Sequence, residues 1–311
     1  MSGGTYRLVT RSDFDGLASA VLLKELGLID EIRFVHPKDM QDGLIAIGPR
    51  DIVTNLPYAP ECHLCFDHHL SEAFRVGAAP ANHIIRPGAA SAARVVWEHF
   101  GGAERFPRHF DAMMAAVDKT DSAAFTVEEV LQPQGWALLG FLMDARTGLG
   151  RFRQFRISNY QLMLDLIDYC RSARDIADIL AQPDVAERAA LYFEHEPRFR
   201  EQLLRCGKVQ GNVVVLDLRN EETIWAGNRF MVYALYLRCS ISVHVLWGVN
   251  RRNTVLAVGK TIFGRAPGLE IGPLLLHYGG GGHAGAGTCQ ISNEEADRVL
   301  REIVTSLRED L

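Results

Sequence analysis

Several short stretches, far apart in the chain, carry residue types that could do chemistry. One is Ser12-Asp13-Phe14-Asp15-Gly16. Two carboxylates two residues apart repel each other as anions, and a bound divalent cation would relieve that repulsion. A purely local role competes: Asp13 or Asp15 caps the helix that follows, and Gly16 makes a turn. Another is Asp67-His68-His69, directly after the apolar run Leu64-Cys65-Phe66. Acidic and imidazole groups are costly to bury without partners, so their place at the end of a core strand calls for a site. Asp118 and Asp121 lie three apart. On a helical turn they share a face, and they either close a carboxylate-rich site or decorate a solvated helix end. Far downstream, His283 sits among six glycines between positions 279 and 287. Glycines let the backbone approach a ligand closely and present amide donors to an anion. The segment matches neither the Walker phosphate loop nor the dinucleotide fingerprint.

The elements that must position these groups read as α/β. Residues 6–10 form a strand that runs into the first acidic stretch, and 17–27 a helix closed by Gly27. Strand, acidic loop, helix is the opening of an α/β unit, and ligands in such folds collect at the carboxyl ends of strands. Further strands are read at 31–35, 51–54 and 63–66, each ending in polar residues, with Asn55 following the second of these. Helices are expected at 89–100, 160–169 and 174–180, residues 110–117 read as a helix or core segment, and 134–143 as another apolar stretch. Between them, residues 144–156 interleave four arginines with Phe152 and Phe155. That loop is either a phosphate- or base-stacking surface or a solvated loop pinned by its aromatics. Residues 185–206 read as a charged helical connector, broken or kinked at Pro197. From Gly211 onward the pattern turns to β runs at 212–218, 241–247, 255–258 and 288–291, with helices at 227–237 and 294–311. The expected organisation is a parallel-sheet domain over 1–182, a helical connector over 183–210, and a smaller α/β domain over 211–311.

A chain of 311 residues is long enough for two such domains. Its 48% apolar and 23% charged composition suits a soluble globular protein. A net charge of -5 argues against an extended duplex-DNA surface, and leaves room for a short oligonucleotide or nucleotide in a locally basic cleft. Met1-Ser2-Gly3-Gly4-Thr5 does not read as a signal peptide, and no stretch approaches the roughly 20 apolar residues of a membrane span. The Cys62-x-x-Cys65 pair has no second pair with which to hold zinc, so the six cysteines are expected to be reduced in a cytoplasmic protein. Monomer and homodimer both remain open.

Taken together, the Asp67-His68-His69 triplet, Asp13 and Asp15 upstream and Gly280-Gly281-Gly282-His283 downstream resemble the DHH phosphoesterase superfamily with its C-terminal DHHA1 domain. The resemblance covers nearly the whole chain. It implies a metal-dependent hydrolase of phosphodiester or phosphoanhydride bonds, usually with two manganese ions and with Mg2+ as the alternative. It implies that Asp13, Asp15, His68 and either Asp121 or Asp118 are metal ligands. By the same resemblance His69 contacts or protonates phosphate, Asp67 orients the pair, and the glycine-rich segment with His283 holds the substrate. Asn228, Arg229 and Arg265 are weaker substrate-binding candidates. Two positions depart from the pattern: Arg11 stands where the family has a histidine, and Asn55 where it has a bridging aspartate. Arginine stays protonated and cannot ligate a metal, and asparagine is a weaker, neutral ligand. One tight metal at most is therefore expected, with Arg11 replacing the charge of the other and clamping phosphate. The expected substrate is a short oligonucleotide or small nucleotide. A weak or inactive nucleotide-binding homologue, and a polyphosphatase or pyrophosphatase, are the alternatives.

Overall fold

The structure is a computed structural model and describes residues 5–78, 80–264 and 268–309. The chain divides into two compact units, Met1–Ala124 with Pro133–Ala190, and Phe125–Gln132 with Leu191–Leu311.

The first unit is built on β1 (Tyr6–Arg11), β2 (Ile29–Val35), β3 (Asp51–Thr54), β4 (Leu64–Asp67) and β5 (His83–Ile85). All neighbouring pairs are parallel, in the order β2-β1-β3-β4-β5. The expected parallel sheet is therefore present. Residues 51–54 are buried throughout, as are Cys65, Phe66 and Asp67. Strands covered on both faces read as continuous apolar runs rather than as alternation. Helices α1 (Phe14–Glu25), α2 (Pro37–Gln41), α3 (Leu70–Val76), α4 (Ala92–His99) and α5 (Phe110–Asp121) belong to this unit. α6 (Val127–Leu131) belongs to the second, and α7 (Gly135–Met143), α8 (Asn159–Ser172) and α9 (Ile176–Leu180) return to the first. α1 is buried from Phe14 to Leu23. A helix buried all round explains why its sequence shows no polar face.

Gly16 lies where α1 closes against β1. A Cβ there would sit 2.0 Å from the Arg11 carbonyl oxygen and 2.8 Å from Thr10 Oγ1. Backbone cannot yield as a flexible side chain can. Gly16→Ala is therefore expected to destabilise the protein by about 3 kcal/mol, the upper end for overpacking, and to shift Asp13 and Asp15 with the helix. Urea unfolding measures the loss.

α10 (Pro183–Cys206) is one helix that runs through Pro197. A break is what the sequence predicts there, because proline removes the bond to the Phe193 carbonyl. Burial of Tyr192, His195, Phe199 and Leu203 along the helix outweighs that loss. The second unit carries β6 (Gly207–Gln210), β7 (Val213–Asp217), β8 (Ile241–Trp247), β9 (Thr254–Lys260), β10 (Gly281–His283) and β11 (Ala286–Ile291). Their order is β10-β11-β9-β8-β7-β6, parallel only between β7 and β8. α11 (Met231–Leu235), α12 (Ile271–Leu276) and α13 (Ala296–Glu309) complete it. Ile241, Val243 and Val245 alternate along β8 into a core shared with Ile271 and Leu275 of α12 and Ile303 and Leu307 of α13. Period two on the strand thus meets period three to four on the helices. The helix expected over 227–237 is shorter, because Asn228 Oδ1 accepts from the Phe230 amide at 2.8 Å and holds a turn before it. Among the described residues no helix is long and apolar enough to cross a membrane.

Candidate active site

In the first unit the strand order reverses between β1 and β3, which is where open α/β sheets bind ligands. Thr10 pairs with Thr54, and Thr54 with Phe66, so Arg11, Asn55 and Asp67 leave three adjacent strands at one level. Thr54 Oγ1 donates to Thr10 Oγ1 at 2.7 Å, and Thr10 Oγ1 to the Thr54 carbonyl at 3.1 Å. These buried bonds tie β1 and β3 together just before Arg11 and Asn55.

Asp15, 2% exposed, accepts from the amides of Ala92 and Ala93 at 2.9 and 2.6 Å. Those amides open α4, and a helix amino end favours a negative charge. His68 Nδ1 donates to the Ala89 carbonyl at 3.2 Å, so in the neutral ring Nε2 carries the lone pair. Nε2 is buried, lies 3.1 Å from Asp121 Oδ2, and lacks a well-aligned hydrogen bond. A lone pair facing a carboxylate is repulsive unless a proton or a cation lies between them. One ligand atom each from Asp15, His68 and Asp121 falls within 4.8 Å of the others. Two carboxylates and an imidazole suit a divalent ion such as manganese, and the orphaned Nε2 is the observation that fits them to one. Without the ion, protons take its place. Burial pushes the Asp15 carboxyl well up, and the charges of Asp121 and Asp13 push it further. For His68, burial opposes the imidazolium, but Asp121 and Asp15 outweigh it and raise the ring to about 9.

A second arrangement lies alongside. Asp67 is fully buried, and its Oδ1 accepts from His69 Nδ1 at 2.7 Å. The bond turns Nε2 of His69 outward, on a side chain 43% exposed. The rings of His68 and His69 stand 4.4 Å apart. The bond to Asp67 fixes the orientation of the His69 ring beside the Asp15–His68–Asp121 cluster.

Asp13 has a different fate from Asp15. It caps α1, accepting from the Gly16 amide at 2.9 Å. Asn55 Nδ2 donates to both its oxygens at 3.2 and 3.3 Å, and Arg11 Nε lies 3.0 Å from Oδ2. Burial raises the Asp13 carboxyl and the Arg11 charge opposes that rise. Asp118 is likewise engaged: Ser91 Oγ donates at 2.8 Å, and Arg94 Nε and Nη2 at 2.9 and 2.6 Å. Of the two aspartates left open by the sequence, Asp121 is the one beside His68.

The residues expected to bind substrate lie in the second unit. Asn228 is fully buried, and its Nδ2 donates to the Val130 carbonyl at 3.2 Å, so both ends of its amide serve the fold. The Arg229 guanidinium lies over the Phe230 ring at 3.9 Å. Arg265 lies outside the described residues. Gly281, Gly282 and His283 form β10 itself, paired with β11, and a Cβ on Gly282 would lie 2.2 Å from the Ala286 carbonyl oxygen. Close backbone approach, which the glycines were expected to allow toward a ligand, here occurs between strands. His283 Nδ1 accepts from the Gly285 amide at 3.1 Å, which leaves Nε2 as the protonated nitrogen of its neutral ring. In the arginine-rich loop, Phe155 lies under the guanidinium of buried Arg188 at 4.2 Å, an anchor rather than a free stacking face.

The sequence reading missed Ser91, Arg94 and the amides of Ala92 and Ala93. A signal was present: Pro87-Gly88 followed by Ser91 at the start of an apolar-faced helix is an N-cap pattern, and Ser91 accepts from the Arg94 amide at 3.0 Å.

This chain matches the pGpG-specific phosphodiesterase PggH from Vibrio cholerae with 59% sequence identity and a TM-score of 0.87, over 99% of this chain and 100% of that one. It belongs to the DHH phosphoesterase superfamily. Two more distant structures share the fold alone. CDC45 from Entamoeba histolytica is 8% identical with a TM-score of 0.55, over 98% of this chain and 95% of that one. Exonuclease RecJ bound to manganese is 14% identical with a TM-score of 0.50, over 93% and 86%. No protein-family model and no curated protein sequence matches the chain.

Proposed function

We propose that this DHH protein is a metal-dependent phosphodiesterase that hydrolyses the linear dinucleotide pGpG to two molecules of GMP. One observation carries the reading: Asp15, His68 and Asp121 keep three ligand atoms within 4.8 Å, beside the Asp67–His69 pair. The full-length likeness to a pGpG-specific phosphodiesterase supplies the substrate. A divalent ion held by the three ligands, manganese or magnesium, supplies positive charge to the phosphate and a nucleophile at neutral pH. The rest falls to the chain. Asp15 is positioned by the two amides at the amino end of α4, and His68 is oriented by the Ala89 carbonyl. In the hydrolysis, the oxygen of water bonds to the linking phosphorus and gives up its proton to solvent, and the bond from phosphorus to the 3′ oxygen breaks. That oxygen takes the Nε2 proton of His69 in its imidazolium form, which solvent then restores, while buried Asp67 accepts from Nδ1 and keeps it turned inward. The reading includes a cytoplasmic protein with reduced cysteines.

Arg11 and Asn55 favour one rival, a protein that binds nucleotide without turning it over. To separate the two, purified protein is incubated with Mn2+ or Mg2+ and pGpG, unphosphorylated GpG, longer RNA or polyphosphate, and products are separated by chromatography. GMP formed from pGpG, abolished by chelator, is the expected result. Binding of pGpG with no GMP under either metal would overturn the phosphodiesterase and leave the rival.

A further inference from the structure

Beside the Asp15–His68–Asp121 cluster stands a group that is closed to metal. Both oxygens of Asp13 are engaged by donors: the Gly16 amide at 2.9 Å, Asn55 Nδ2 at 3.2 and 3.3 Å, and Arg11 Nε at 3.0 Å. Neither the guanidinium nor the asparagine NH2 brings a lone pair to a cation. A metal ion drawn to Asp13 would have to expel Arg11. Asn55 and Arg11 also depend on each other. An aspartate at position 55 would repel Asp13, whereas the amide donates to it and leaves its charge for Arg11. Asn55 does so from a left-handed backbone, φ +56°, that asparagine tolerates better than most residues. The ion pair uses Arg11 Nε and leaves the two Nη groups, on a side chain 41% exposed, to meet a ligand.

We propose that Arg11, held by Asp13 and Asn55, is a fixed cation that binds a non-bridging oxygen of the substrate phosphodiester. The protein then uses one metal ion per chain and grips the phosphate even when metal is absent. The proposal rests on the phosphodiesterase reading for its substrate. Guanidinium suits this role because it is permanently charged and its planar N–H edge matches phosphate oxygens. Unlike a metal ion, it cannot dissociate.

Two readouts test it without relying on turnover. Native mass spectrometry counts manganese per chain, and calorimetry in chelator measures pGpG binding to the metal-free protein. Wild type is expected to hold one manganese and to bind pGpG without it. Arg11→Ala weakens metal-free binding by about 10- to 100-fold, the range for one charge-assisted contact, and still holds one manganese. Arg11→Lys recovers part of the binding. Arg11→Gln, which keeps a neutral donor for Asp13, repeats the test should Arg11→Ala fail to fold. In the double variant Arg11→His with Asn55→Asp, the count rises to two. Two manganese ions in wild type, no metal-free binding by wild type, or unchanged binding in both Arg11→Ala and Arg11→Gln would each overturn the proposal. If these binding results hold but no GMP forms, the phosphodiesterase reading falls and the Arg11 site stands.

Discussion

Asp15→Asn is expected to lower kcat/KM for pGpG by about a thousandfold or more, since even residues behind a metal ligand are worth 10- to 100-fold. The substitution does two things. It removes one of three charged or imidazole ligands, and it turns an NH2 group toward one of the two α4 amides that now donate to the carboxylate. Two donors then face each other at a residue that is 2% exposed. His68→Gln separates the effects, because it removes the imidazole and leaves the α4 contacts of Asp15 alone. Thermal unfolding with and without manganese reads both. A ligand at a hundred times its Kd stabilises by about 2.7 kcal/mol, so wild type gains that much and the two variants gain little. Asp118→Asn is the contrast: it loosens the pairing with Arg94 and Ser91 but keeps manganese-dependent stabilisation. Full manganese-dependent stabilisation in His68→Gln would show that the ion sits elsewhere.

His69→Ala is expected to lower kcat by about 10^2 to 10^4, the usual worth of a positioned general acid, with manganese content unchanged. Its setting differs from that of His68, although the two are adjacent in sequence. The carbonyl of Ala89 turns Nε2 of His68 toward Asp121, whereas Asp67 turns Nε2 of His69 outward. The leaving group distinguishes proton donation from mere contact with phosphate. A p-nitrophenyl phosphodiester of GMP releases a stable phenolate that needs no proton, so the loss in His69→Ala should shrink to within about tenfold on that substrate. Equal losses on both substrates would assign His69 to binding. Asp67→Asn should follow the same pattern at smaller size, since a neutral amide can still orient the ring but holds it less firmly.

Much of the site was legible because its residues are chemically conspicuous in their setting. Asp67-His68-His69 ends an apolar strand, and Asp13 and Asp15 open a helix that is buried from Phe14 to Leu23. Both competing readings of the first stretch describe part of the truth, divided between the two residues: Asp13 caps α1, while Asp15 joins His68 and Asp121. Less was legible where short elements matter. β5 has three residues, too few for a period to register. The strand β10 in the glycine-rich segment was not legible, because strand pairing leaves no periodic mark on glycine.

By itself the sequence determined the α/β class, the family and the residue types available for chemistry. It did so because those depend on pattern and composition, which are local. It also revealed that Arg11 and Asn55 cannot both serve as metal ligands, since a guanidinium has no lone pair in any fold. Only the tertiary structure decided which residues meet. Asp118 and Asp121 are equivalent by spacing, but the packing of α4 against α5 brings Arg94, 24 residues away in sequence, onto Asp118 and leaves Asp121 for His68. In the same way, the register of β1 on β3 carries Asn55 across 42 residues to Asp13, to which it donates. A side chain's partner is set by how distant elements pack, and no pattern within one segment encodes it.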